Sequence, residues 1–244
     1  MNLVIDIGNS RTKLALFLNG VMVESLTVEK LLVEQLIELK VRYTNLKCVI
    51  LSSVSSADPI VINFLKTGFP YFLELSSYTS VPLVNQYKTP ETLGLDRLAT
   101  AIGAQELYPG KDLLVIDAGT AITFDVIERN GTFVGGNISP GLSSRFRALH
   151  EFTKKLPLIK ASDDFPVIGQ STEEAIRAGV INGMVFEIDG TIDMIRKKMP
   201  HIQPVLTGGD AQFFERRLKN PIFVKFEITL IGLNRILEYN VEKQ

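Results

Sequence analysis

Two periods of hydrophobic residues divide this chain. Apolar runs ending in Asp, Gly or Ser predict buried strands over residues 2–8, 12–18, 21–28, 47–53 and near 71–75. Runs from Leu114, over 203–207 and over 222–225 read the same way. Between them the period lengthens to that of a helix. Leu31, Leu32, Leu36 and Leu39, with Ile37, mark an amphipathic helix over 29–40, and further helices are expected over 59–65, 98–107, 143–149 and 229–239. Ser171 followed by Glu174 is a capping box that opens a long helix to about residue 198. Its apolar face is expected to include Ala175, Ile176, Gly179, Gly183, Phe186 and Ile192. Gly179 and Gly183, one turn apart, lower helix propensity and so imply close backbone packing. Pro109 and Gly110 stop the helix before them, and 153–169 is a long polar connection.

One pattern occurs twice. Residues 3–13 read Leu-Val-Ile-Asp-Ile-Gly-Asn-Ser-Arg-Thr-Lys, and residues 114–123 read Leu-Val-Ile-Asp-Ala-Gly-Thr-Ala-Ile-Thr. The alignment lays Asp6 on Asp117, Gly8 on Gly119 and Thr12 on Thr123, and the Asn19-Gly20 turn on Asn130-Gly131. Each copy is a strand, an Asp-x-Gly turn, a strand, an Asn-Gly hairpin and a third strand. A repeat at this distance implies two domains of one design, 1–112 and 113–244, rather than a solenoid.

The turn has its own chemistry. A buried strand presents a carboxylate at its tip, and the glycine that follows lets a phosphate approach the backbone. Asn9, Ser10, Thr12, Thr120 and Thr123 supply amides and hydroxyls for phosphate oxygens. A carboxylate beside phosphate is repelled unless a cation lies between them, so Asp6 implies a metal, most simply Mg²⁺ with water. A second constellation lies at residues 94–97, Gly-Leu-Asp-Arg, where a helix begins. The positive helix end favours an ionised Asp96, a group suited to accept the proton of an attacking hydroxyl.

Composition narrows the class. Lys plus Arg number 26 against 27 Asp plus Glu, a net charge of −1, which gives no electrostatic case for nucleic acid. The apolar runs are too short and too interrupted to span a membrane, and no charged leader precedes the first strand. Cys48 is the only cysteine, so no internal disulfide forms; a cytoplasmic protein is expected, with Cys48 in the core rather than reactive. His150 and His201 are the only histidines, and a surface place for His150 is the simpler reading. A P-loop mechanism is excluded, since no Gly-x-x-x-x-Gly-Lys-Ser/Thr run occurs.

The paired hairpins resemble the actin, hexokinase and Hsp70 superfamily, which implies an α/β fold of two related ribonuclease-H-like (actin-like ATPase) domains, each a mixed sheet with flanking helices. Tyr87, residues 94–97, residues 117–123 and the Gly-Gly-Asn-Ile-Ser-Pro-Gly run at 135–141 are together similar to type III pantothenate kinases. The resemblance implies ATP-dependent phosphorylation of pantothenate, the first step towards coenzyme A. By position it implies an ATP loop of Asp6, Ile7, Gly8, Asn9, Ser10, Arg11, Thr12 and Lys13, with Thr120 also on the nucleotide. It makes Asp96 the proton acceptor and lines the pantothenate site with Tyr87, Gly94, Leu95, Asp96, Arg97 and Thr172. Asp117 would hold a monovalent cation, potassium or ammonium, whereas the repeat alone makes Asp6 and Asp117 equivalent metal anchors. A homodimer is implied as well. The competing readings are a sugar kinase of the same superfamily and an ATP-binding assembly or regulatory protein without kinase activity.

Overall fold

The computed structural model describes residues 1–8, 11–53 and 57–243. They form two compact units. The first comprises Met1–Pro109, Gly131–Phe133 and the segment from Ile228; the second comprises Gly110–Asn130 and Val134–Glu227.

Unit one begins with β1 (Asn2–Ile7), β2 (Thr12–Leu18) and β3 (Val21–Val28). Asn19 (φ 51°) and Gly20 (φ 76°) are both left-handed, the geometry that a two-residue hairpin between right-twisted strands requires. Helix α1 (Val33–Arg42), β4 (Cys48–Ser53), α2 (Pro59–Gly68) and β5 (Tyr71–Glu74) follow. The sheet order is β3-β2-β1-β4-β5, with β1 antiparallel to β2 and parallel to β4. Leu3, Ile5, Leu14 and Leu16 face one way, onto Leu36 and Leu39 of α1 and Val61 and Leu65 of α2. The helix predicted from residue 29 starts instead at Val33, because the Gln35 side chain accepts the Leu32 amide (2.9 Å) and closes the end there. Leu32 (47 %) and Ile37 (46 %) are consequently exposed, not on the buried stripe. Short strand β6 (Val84–Asn85) pairs in parallel with Thr132 and Phe133. Helix α3 (Leu95–Leu107) closes this stretch, starting three residues earlier than the apolar run alone indicates.

Unit two carries β7 (Leu113–Ala118), β8 (Ala121–Glu128), β9 (Thr132–Pro140, of which residues from Val134 belong here), α4 (Leu142–Glu151), α5 (Thr172–Arg196), β10 (Gln203–Thr207), α6 (Ala211–Glu215) and β11 (Phe223–Val224). The strands run β11-β10-β7-β8-β9, with β10 parallel to β7 and to β11. The capping box forms: Ser171 Oγ accepts the Glu174 amide (3.3 Å) while Glu174 Oε2 accepts the Ser171 amide (3.2 Å). Ile176, Ile181, Met184, Ile188 and Ile192 of α5 enter the core with Phe124, Phe146 and Phe214. Phe186 does not; it is 71 % exposed, and among the described residues nothing beyond the surrounding turns of α5 lies within 4 Å of a Cβ placed at Gly179 or Gly183. The buried stripe is rotated away from the glycines.

The chain then returns to unit one as α7 (Ile228–Val241), which packs on α3 and on the sheet face opposite α1 and α2. Gly103 and Gly232 meet at the α3–α7 crossing, where a Cβ on Gly232 would stand 1.8 Å from the Ala99 carbonyl oxygen. A hydrogen bond between the Thr100 and Thr229 hydroxyls (2.8 Å) lies beside it. Among the described residues no helix is long and apolar enough to cross a membrane.

Candidate active site

In unit one, Asp6 ends β1 opposite Lys13 of β2 and beside Ser52 of β4. Burial raises its carboxyl above the ordinary range; a hydrogen bond from Ser52 and the charge of Lys13 oppose this, and the charge of Asp96 adds to it. After it, the Gly8 amide donates to the Arg11 carbonyl (3.0 Å), and a Cβ on Gly8 would sit 3.2 Å from that oxygen. Thr12 is buried, Ile7 is half-buried and Arg11 and Lys13 are exposed; Asn9 and Ser10 lie outside the described residues. A cavity of 190 Å³ opens beside the turn, bordered by Gly8, Arg11, Thr12, Lys30 and Asp58. Ser52 carried no sequence signal except position: it is the polar end of an apolar strand that parallel pairing sets level with Asp6.

The same unit supplies the start of α3. Gly94 is its N-cap residue, and Asp96 Oδ1 folds back to accept the Arg97 amide (2.8 Å), one of the donors a helix end leaves unsatisfied. A Cβ on Gly94 would come within 2.5 Å of Asp96 Oδ1, so glycine is what leaves the carboxylate its place. Asp96 is exposed and Leu95 half-buried, while Arg97 is buried with its guanidinium 5.6 Å from the Tyr87 ring centre. Such a desolvated cation–π contact is worth about 1–2 kcal/mol. Tyr87 in turn leans on Phe133 (6.2 Å), and its amide donates to Asn85 Oδ1 (2.9 Å). Thus Asp6, Tyr87, Gly94, Asp96 and Arg97 belong to one unit, with Asp96 close enough for its charge to act on Asp6.

Unit two holds the second turn, and it is not a copy of the first. Asp117 pairs with Thr123, where Asp6 pairs with Lys13, so the second turn is one residue tighter. Its closing bond runs from the Gly119 amide to the Ala121 carbonyl (2.9 Å). Asp6 therefore faces a lysine and Asp117 a neutral threonine, a difference that linear alignment hides. Two glycines let backbone pack against this turn: a Cβ on Gly208 (φ +96°) would lie 2.4 Å from Asp117 Oδ1, and one on Gly141 would lie 2.0 Å from the Gly119 carbonyl oxygen. Thr120 is exposed at the turn, and Thr172 is exposed at the first position of α5. Thr172 borders a groove of 850 Å³ between α4 and α5, lined also by Leu149, Phe152, Ile176 and Val180. His150 is exposed, its Nδ1 2.8 Å from the Leu156 carbonyl oxygen, and takes no part.

Two α/β units, each with an Asp-x-Gly turn at the tip of a central strand, define the fold of the actin- and hexokinase-like ATPases and kinases. Solved structures agree at the level of fold. A Clostridium difficile activator of 2-hydroxyisocaproyl-CoA dehydratase, with ADPNP bound, superposes with a TM-score of 0.52 at 16 % identity, over 99 % of this chain and 94 % of that one. A Campylobacter jejuni protein described as a member of the Baf family of transcriptional activators gives a TM-score of 0.60 at 26 % identity, over 98 % and 99 %. Sequence narrows the class. The profile of type III pantothenate kinases matches residues 2–194. A type III pantothenate kinase of Phocaeicola vulgatus is 48 % identical over 240 residues, spanning 98 % of this chain and 99 % of that protein. One from Bacteroides fragilis is 44 % identical over 240 residues, 98 % of each. The chain belongs to the type III pantothenate kinase family.

Proposed function

We propose that this protein transfers the γ-phosphoryl group of ATP to the primary hydroxyl of pantothenate, giving 4′-phosphopantothenate for coenzyme A synthesis in the cytoplasm. The observation that supports the reading, beside family membership, is that Asp6 at its glycine turn and Asp96 at the start of α3 belong to one unit. A proton acceptor for the substrate hydroxyl and a carboxylate for the nucleotide's metal then serve one reaction.

Asp96 accepts the hydroxyl proton, with its carboxylate held by the Arg97 amide. Family position assigns Tyr87, Gly94, Leu95, Arg97 and Thr172 to pantothenate. Family position likewise assigns residues 6–13 and Thr120 to ATP. A buried strand-tip carboxylate beside a glycine turn fits a divalent cation, and Asp6 would be the residue that holds Mg²⁺ there, through water. The ion, when bound, neutralises charge on the transferring phosphoryl group. Asp117, which pairs across the hairpin with Thr123, is assigned by family position to the monovalent cation, potassium or ammonium. The uncovered face of α5 supports a homodimer.

ADP release with and without pantothenate, in potassium and then in sodium buffer, tests the proposal. Pantothenate-dependent release that requires potassium is the expected result. ATP binding without pantothenate-dependent turnover in either buffer would remove the substrate assignment.

A further inference from the structure

The second phosphate turn is held from behind by a contact to which no role has been given. The Thr120 carbonyl oxygen accepts two donors from the start of α4, the amide of its N-cap Gly141 (3.1 Å) and the Ser144 hydroxyl of its first turn (2.7 Å). A carbonyl oxygen has two lone pairs, and both are engaged. The peptide plane between Thr120 and Ala121 is thereby fixed, and since the amide of a trans peptide points opposite its carbonyl, the Ala121 N–H faces away from α4. The clasp is itself braced. Arg145, the next residue of α4, donates through Nε to the Pro140 carbonyl (2.8 Å) and through Nη2 to Ser139 Oγ (3.0 Å), and it forms an ion pair with Glu187 of α5. The path from α5 to the turn thus runs Glu187, Arg145, the 139–141 backbone, then Gly141 and Ser144 onto Thr120, all within unit two.

We propose that Ser144 is a positioning residue for the nucleotide. It sets the orientation of the Thr120–Ala121 peptide, with Arg145 and Glu187 bracing the segment from which it acts. The claim rests on the assignment of Thr120 to ATP. Ser144 is only half-buried and sits in the first turn of its helix, so its hydroxyl is spent on the phosphate turn rather than on the core. Without it one of two donors is lost, and the peptide gains freedom in the ligand-free protein that binding must remove.

The test compares wild type, Ser144→Ala and Ser144→Thr by binding of a fluorescent ATP analogue and by steady-state kinetics. In Ser144→Ala the analogue's Kd and the KM for ATP are expected to rise ~3- to 10-fold, the range for one uncharged hydrogen bond. The KM for pantothenate and kcat should stay within about twofold, and Ser144→Thr should restore nucleotide affinity. Unchanged analogue affinity in Ser144→Ala overturns the proposal while leaving the kinase assignment intact. Equal increases in both KM values, or no recovery with threonine, also overturn it, since they indicate a general disturbance. If the wild type fails to turn over pantothenate but Ser144→Ala still weakens analogue binding, the substrate reading falls and the positioning role stands.

Discussion

Asp6 and Asp96 are both acidic, yet their surroundings ask opposite things of them. Asp96 is exposed at a helix N-terminus, and its Oδ1 already accepts one amide. Asp96→Asn preserves the shape and removes the proton acceptor. It is expected to leave ATP affinity near wild type and to lower kcat by at least ~10²-fold, the usual scale for a positioned base; turnover close to wild type would free Asp96 from the role. Asp6 pays for its burial in stability. Because burial raises its carboxyl, the folded state binds that proton more tightly than the unfolded chain. The corresponding stability is fully present below the unfolded pKa and is lost as pH rises through the folded one. Above the unfolded pKa the Asp6 carboxyl thus destabilises the fold, and Asp6→Asn should raise the melting temperature of the ligand-free protein at neutral pH while abolishing magnesium-dependent turnover. The gain should shrink as pH falls towards about 4, near the unfolded value of an aspartate. Melting curves at several pH values check the sign.

Among the elements, the α3–α7 crossing ties the C-terminal helix to the unit that bears Asp96. Gly103 and Gly232 remove both side chains at the contact, and backbone atoms fill the space: a Cβ on Gly103 would stand 2.1 Å from the Ile228 carbonyl oxygen. Backbone of two helices cannot yield as a flexible side chain does. Gly232→Ala is expected to destabilise by about 3 kcal/mol, read as a fall of ~6–12 °C in melting temperature. A change under about one degree would show that the helices separate freely. Every strand except the two-residue β6, and both Asp-x-Gly turns, were legible in the sequence because their apolar runs end in polar residues. The repeat was legible for the same reason. The one-residue difference between the turns was not, since hairpin register follows from strand pairing and leaves the spacing of Asp, Gly and Thr unchanged. The Ser52 contact to Asp6 and the Ser144 clasp on Thr120 were equally invisible: both join residues far apart in the chain, and serine near a strand or helix end is ordinary in any sequence. Leu32 and Ile37 misled because a run of leucines crowds two sides of a helix, and only packing chooses between them.

For the whole molecule, the α5 face remains to be accounted for. Gly179, Gly183, Phe186 and Gly190 are spaced four, three and four residues apart, which puts them on one side of the helix. At none of the three glycines does a Cβ meet, among the described residues, an atom beyond the surrounding turns of α5 within 4 Å, and Phe186 is 71 % exposed. Glycine in a helix interior costs about 1 kcal/mol against alanine, so three on an uncovered stripe weaken the longest helix with no return inside the chain. A close backbone neighbour would supply the return, and the proposed dimer provides one if a second α5 crosses at the glycines with Phe186 beside them. Phe152 (86 % exposed) and the apolar groove between α4 and α5 extend the same surface around Thr172. The wild type is therefore expected to sediment as a dimer at micromolar concentration, and Phe186→Glu as a folded monomer with a lower melting temperature, because the stabilisation that association supplies is lost. A monomeric wild type would sink the dimer. A monomeric variant that also loses affinity for pantothenate, but not for ATP, would show that the covered face completes the Thr172 side of the site.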